Sequence, residues 1–227
     1  MKITTKTILM LVLLAVPAMC LAQPELCKVT FTGKDPTIID FARAYCSQFD
    51  ESTSFEKIAL AAFSKGTFKK GKVECVVDSK NGYVKYSSAD QEEPETLEMC
   101  YWNCDNKNEK LVAVNTILPS PDSEYNESYL IFYRYNTKTG KMTLIEAPFD
   151  REPDPIDLVD QDKADRKTIE IVLGSHNEDA NRLQPFFILP RTGKDIIYRM
   201  ADPNAIPKQL QREGRLIWDG NGFCPEN

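Results

Sequence analysis

Glu98 to Lys110 reads EMCYWNCDNKNEK, with Cys100 and Cys104 flanking Tyr101 and Trp102 ahead of a polar turn. Two nearby thiols can hold a soft metal, run thiol–disulfide exchange, or belong to two separate disulfides. Their spacing discriminates. C-x-x-x-C is not the C-x-x-C of thioredoxin-like redox sites, and the second close pair of ligands that zinc sites add does not follow. The stretch TLEMCYWNC alternates and is aromatic, as strands are, which sets Cys100, Trp102 and Cys104 on one face. Four steps of about 3.3 Å put the two thiol-bearing residues roughly 13 Å apart. A disulfide tolerates about 7 Å between Cα atoms. Each thiol therefore needs a partner elsewhere, and no metal site is assigned.

Whether these thiols oxidise depends on the compartment. The chain opens MKITTKTILMLVLLAVPAMCLAQ. Lys2 and Lys6 precede an apolar run from Ile8 to Val16, and Cys20-Leu21-Ala22 places small residues three and one before Gln23. This is the pattern of a secretory signal over residues 1–22, cleaved between Ala22 and Gln23. The expected product is one exported domain, 23–227, secreted or periplasmic. A lipid anchor at Cys20 would want a small residue before the cysteine and finds Met19, so plain cleavage is preferred. No later run approaches the roughly 20 apolar residues of a transmembrane helix. Beyond the cleavage point stand Cys27, Cys46, Cys75, Cys100, Cys104 and Cys224. An even set in an exported chain predicts disulfides, up to three, with the pairing open.

Other chemistries find little footing. Removing Lys2 and Lys6 from the total leaves 26 basic against 34 acidic side chains, a net charge of −8. That balance repels nucleic acid and anionic membranes. The one basic cluster, Lys69, Lys70 and Lys72, has no interleaved aromatics to stack bases. Asp154, Asp157, Asp160 and Asp162 offer oxygens to calcium, but without EF-hand spacing, and they read as a solvated loop. Asp219 to Gly222 reads as a glycine-rich turn. Ser175 and His176 are adjacent, which is not how a serine–histidine pair meets. No phosphate-cradling loop, dinucleotide fingerprint or hydrolase motif is present, so no cofactor and no catalytic residue are assigned. Asn126-Glu127-Ser128 is a glycosylation sequon only in a eukaryotic secretory host, and the short lysine-led leader points to a bacterial one.

The elements that must position these groups follow from periodicity. Asp35-Pro36 reads as a cap with proline at the first helical position, and Ile38, Phe41, Ala42, Tyr45 and Phe49 recur at helical spacing. A helix over 36–49 follows. A second helix opens at Thr53 with Glu56 as a capping box and stops near Gly66. After Lys72 the texture turns to hairpins, about Asn81-Gly82, Asp105–Glu109, Gly140 and Thr192-Gly193. KTIEIVLG reads as a lone strand, and RLIWDGNGF as the last. In YLIFYRY, Tyr129, Ile131, Tyr133 and Tyr135 point one way and Leu130 and Phe132 the other. Both faces are apolar or aromatic, so this strand should be covered on both sides. The acidic stretch 150–165 connects two runs of strands as a surface excursion. The fold predicted is α+β, mostly β. Two N-terminal helices pack on a large curved antiparallel sheet built from consecutive hairpins.

The stretch from Asn81 to Pro148, with NGYVKY, LEMCYWNC, LVAVNTILPSPDSEY and LIFYRYNTKTGKMTLIEAP, resembles exported, uncharacterised proteins of Bacteroidetes-type gut bacteria. The resemblance implies the periplasm or outer surface and supplies no functional residues. The reading that results is a non-enzymatic exported binding or scaffold protein for an unidentified ligand or protein partner. Tyr101, Trp102, Tyr133 and Tyr135 are its candidate ligand-binding residues. The alternative is a carboxylate-based hydrolase acting on glycans or cell wall.

Overall fold

The computed structural model describes residues 26–89, 95–119, 125–174 and 180–226. The leader with Cys20 and the Ala22–Gln23 junction, together with Ser175 and His176, lies outside the described residues.

The chain opens with strand β1 (Leu26–Lys28), then helices α1 (Ile38–Cys46) and α2 (Phe55–Phe63). Helix α1 begins two residues later than Asp35-Pro36 announces. Asp40 reaches back one turn and takes hydrogen bonds from both the Thr37 amide and the Thr37 hydroxyl, each 2.8 Å. Thr37, not Asp35, therefore starts the helix. Helix α2 is capped by Ser54, whose hydroxyl accepts from the Lys57 amide, rather than by Thr53.

Seven strands then run as a meander: β2 (Phe68–Lys70), β3 (Val73–Asp78), β4 (Tyr83–Ser88), β5 (Glu95–Asn103), β6 (Glu109–Pro119), β7 (Asn126–Asn136) and β8 (Lys141–Ile145). All neighbours are antiparallel, and β1 closes on β8, so the order is β1-β8-β7-β6-β5-β4-β3-β2. The sheet stays open, with β1 and β2 as edges. Lys69 and Lys70 sit on the β2 edge, where charge discourages edge-to-edge pairing. The β3–β4 turn holds four residues between Asp78 and Tyr83, not the two that Asn81-Gly82 suggests. Asp78 accepts from the Asn81 amide and side chain and so widens the loop. Gly82 turns it with φ +67°, and a Cβ there would meet the Tyr101 ring at 2.8 Å. Gly140 performs the same left-handed turn between Asn136 and Lys141.

The second half departs further from expectation. KTIEIVLG is helix, not strand: α3 spans Arg166–Gly174. The Asp165 carboxylate accepts from the Thr168 amide at 2.8 Å, and Arg166 pairs with Glu170 one turn on at 2.7 Å. Helical spacing turns Ile169 and Val172 inward and leaves Ile171 and Leu173 exposed. A short helix α4 (Ala180–Leu183) leads to β9 (Pro185–Ile188), β10 (Ile196–Met200), β11 (Gly214–Trp218) and β12 (Phe223–Pro225). These form their own four-stranded antiparallel sheet, ordered β12-β11-β10-β9, rather than extending the large one.

Three layers result. On one face of the large sheet, Phe41, Tyr45, Ala59 and Phe63 of the helices meet Met99, Val112, Tyr133 and Tyr135. On the other, Ile196, Tyr198, Leu216 and Phe223 of the small sheet meet Cys100, Trp102, Ala113 and Phe132. Strand β7 is covered on both sides, with its odd and even residues divided as the alternation predicts. Each large apolar side chain among these contributes about 1.5–3 kcal/mol through burial. The acidic connection is the bridge between sheets. Its 3-10 turn, Pro155–Leu158, is capped by Asp154 and Asp157, buries Leu158 fully and pairs Val159 with Gln211. Asp160 is buried there against Lys163 at 2.7 Å and Arg212 at 2.8 Å.

Candidate functional site

The six thiols come first, because the sequence made them the leading chemistry. All six are free. Disulfides were expected, and the layers keep two groups of these cysteines apart. Cys27, Cys46 and Cys75 lie in the helix-side core, and Cys100 and Cys104 in the opposite one. The large sheet stands between the two sets. Within the first set, Cys27 on β1 and Cys75 on β3 are six strand spacings apart, roughly 29 Å along the sheet. Cys100, Trp102 and Cys104 do share a face, so the two thiols of C-x-x-x-C stay too far apart to join. Burial pushes Cys27 and Cys75 up to about 11 and Cys46 up to about 12. Burial, then the nearby Glu98, hold Cys100 well above the ordinary thiol value. Burial also raises Cys104, although the Arg134 guanidinium, 3.9 Å from its sulfur, pulls the other way. Cys224, half-buried, donates to the Asp150 carboxylate at 2.9 Å, and that bond raises it.

The four aromatic candidates are packing residues. Tyr133 and Tyr135 are fully buried beneath α1, edge-on to Tyr45 and Phe41. Trp102 is buried between the sheets, stacked 5.7 Å from Trp218 and edge-on to Phe223, with its indole N–H donating to the Lys194 carbonyl at 2.8 Å. Tyr101 is half-buried against Phe41 and under the Lys110 ammonium. None of the four forms an open ligand-facing platform, because both faces of the sheet that carries them are covered.

The cleft that does open lies at the seam of the two sheets. Strand β6 pairs β7 along its whole length, from Asn126 to Asn136, but β8 pairs it only from Phe132 onward. The chain leaves the sheet after Ile145, and the first half of β7 borders a cleft of about 350 Å³. Glu127, Ser128 and Tyr129 of β7 form one wall. Gln184, Pro185 and Phe187 at the start of β9 form another, and Glu152, Pro153 and Ala201 complete the rim.

This wall is held by the sheets. On the small-sheet face of the large sheet, the Ser128 hydroxyl accepts from the Phe187 amide at 2.8 Å. The Asn115 side chain, fully buried, donates to the Phe187 carbonyl at 3.0 Å. Both main-chain groups of Phe187 are thus fixed by side chains of the neighbouring layer. Tyr129 is 52% exposed, the most exposed aromatic among the described residues. Its hydroxyl donates to the Glu127 carboxylate, and that bond raises the tyrosine above its ordinary value. Among the described residues, Glu127 and Glu152 have no ion-pair partner, and no basic side chain lines the cleft. The cleft is bordered by a half-exposed tyrosine and two carboxylates, and its volume lies within the usual range of ligand sites.

A second charged cluster lies under the small sheet. Glu98, 5% exposed, accepts from the Tyr83 hydroxyl at 3.2 Å and faces the Lys85 ammonium at 3.6 Å. Burial, then Glu98, push the Tyr83 hydroxyl far up. This is an internal ion pair of the sheet interface, not an opening to solvent.

Sequence reasoning missed the cleft residues. The only signal at Glu127 and Tyr129 was a strand start within a sequon, and Phe187 read as one half of a hairpin. No protein-family model, curated protein or solved structure matches the chain.

Proposed function

We propose that this chain is an exported, non-enzymatic binding protein that takes a small ligand in the cleft between β7 and β9. The observation that carries the reading is Tyr129, an aromatic ring left half in solvent on a wall whose neighbours are pinned by buried hydrogen bonds. Export rests on the leader pattern of residues 1–22, and the resemblance of Asn81 to Pro148 to exported proteins of Bacteroidetes-type bacteria agrees with it. The protein would then act at the periplasm or outer surface. The decisive experiment is a ligand-detected NMR screen of sugars, amino acids and amines against the purified chain and its Tyr129→Ala variant. Hits lost in the variant support the reading. A screen in which no compound touches Tyr129 or Phe187 removes it. Amino-terminal sequencing of the exported product should begin at Gln23; an intact Met1 on cytosolic protein would contradict export.

One observation favours a second reading. Glu127 and Glu152 line the same cleft, and paired carboxylates are what glycoside hydrolysis uses. Release of reducing sugar from glycans or cell wall, abolished by Glu127→Gln or Glu152→Gln, would replace binding with turnover. Binding without release would leave the first reading standing.

A further inference from the structure

We infer that the two sheets enclose a hydration site, in which one water molecule is held between the side chains of Glu98 and Asn115 and donates to both. The register of the large sheet sets these residues side by side. Lys85, Glu98, Asn115 and Leu130 lie directly opposite one another across β4, β5, β6 and β7, on the face that meets the small sheet. Glu98 is 5% exposed and Asn115 not at all. One half of each side chain is accounted for. Glu98 Oε1 accepts from the Tyr83 hydroxyl at 3.2 Å and faces the Lys85 ammonium at 3.6 Å. The Asn115 amide nitrogen donates to the Phe187 carbonyl at 3.0 Å. The other half is not: among the described residues, neither Glu98 Oε2 nor Asn115 Oδ1 has a donor, although both atoms are buried.

Two buried acceptors on directly opposed residues define the chemistry of the ligand. Opposed Cβ atoms on adjacent strands stand about 4.5–5.5 Å apart, close enough for one small molecule to serve both side chains. An ionised carboxylate only accepts, and the Asn115 amide is held in its orientation because the Phe187 carbonyl it meets takes only a donor. The site therefore calls for a molecule with two hydrogens to give. A cation would repeat the charge that Lys85 already brings to this carboxylate, whereas water supplies two donors without charge. Buried waters settle where polar groups would otherwise go unmet and where space remains. The next pair on this face is Cys100 opposite Ala113, two small side chains, so no large one fills the space on that side. The water completes a run from Tyr83 through Glu98 and Asn115 to Phe187, and so ties the middle of the large sheet to β9. The inference is independent of what the cleft binds.

High-resolution crystals of the purified chain test this directly. The expected result is ordered density about 2.7–3.2 Å from both Glu98 Oε2 and Asn115 Oδ1. No density there, direct contact between the two side chains, or a rubidium anomalous peak at that point in soaked crystals would overturn the water. In solution, magnetic relaxation dispersion of the solvent counts long-lived internal waters. Glu98→Gln sets an amide beside Asn115 that can donate to it without an intermediary, so the dispersion amplitude should fall by the equivalent of about one water. Asp219→Asn, in a surface turn, leaves both acceptors in place and should not change it. Equal amplitudes in the wild type and Glu98→Gln would also overturn the site. If Glu98→Gln does not fold, the density in the wild type decides alone.

Discussion

A thiol reacts as its thiolate, so position in the layers decides which of the six cysteines can do chemistry. Five are buried, and all six are raised above the ordinary value where they sit. Native protein treated with a thiol-specific reagent near neutral pH should therefore react at one site, Cys224. Unfolding a chain that begins at Gln23 without reductant should expose all six. Asp150→Asn removes the carboxylate that raises Cys224 and should speed its labelling. Fewer than six reactive thiols after unfolding would mean that bridges form after all. The same residue-level logic applies to the clamp on Phe187. Asn115→Ala leaves a buried carbonyl without its donor and should cost about 1–3 kcal/mol in denaturant unfolding. Ser128→Ala sits nearer the rim and should cost about 0.5–1.5 kcal/mol.

At the scale of elements, turns and caps carry the pH dependence. The Asp219 carboxylate accepts from the Asn221 and Gly222 amides at 2.7 and 2.8 Å, and these bonds hold it below the usual range. Asp165 is lowered by the Thr168 amide at the start of α3. A depressed carboxylate stabilises the fold above its unfolded value near 4, and that stability is lost as pH falls through the lower folded value. The melting temperature of the wild type should therefore drop below about pH 4. Asp219→Asn keeps an acceptor oxygen without the charge, so the gap between the two proteins should be widest near neutral pH and shrink toward pH 3; a gap that is independent of pH would assign the turn no titrating role. Elements were also where the sequence was most and least legible. Gly82 and Gly140 marked real hairpins because a left-handed turn leaves few other residues. YLIFYRY announced a doubly covered strand because alternation is local and both registers were apolar. KTIEIVLG misled because its β-branched alternation outweighed one cap and one ion pair, and only packing shows that Ile171 and Leu173 face solvent. Glu98 alternates with Cys100 and Trp102 as the pattern requires, yet nothing local says that a carboxylate on that face will be roofed over.

The whole molecule turns on a choice that strands do not encode, namely which sheet they join. Hairpins β9–β10 and β11–β12 read like those of the large sheet, but they form a separate layer, and the cleft exists only because the two layers meet along β7 and β9. Their shared core is aromatic. Phe223 of β12 is fully buried within 5.1–6.2 Å of Trp102, Phe132, Phe149 and Trp218. The small sheet has no second face of comparable burial, so it should not persist once this one is lost. Trp102 belongs to the large sheet and Trp218 to the small, and their stack makes tryptophan emission a report on the seam. In guanidinium titrations, emission and far-UV circular dichroism should therefore trace one coincident transition. Phe223→Ala should shift both together by about 3–5 kcal/mol. An emission change that precedes the loss of ellipticity would mean that the small sheet detaches first, and the cleft would then open by separation of layers rather than stand preformed.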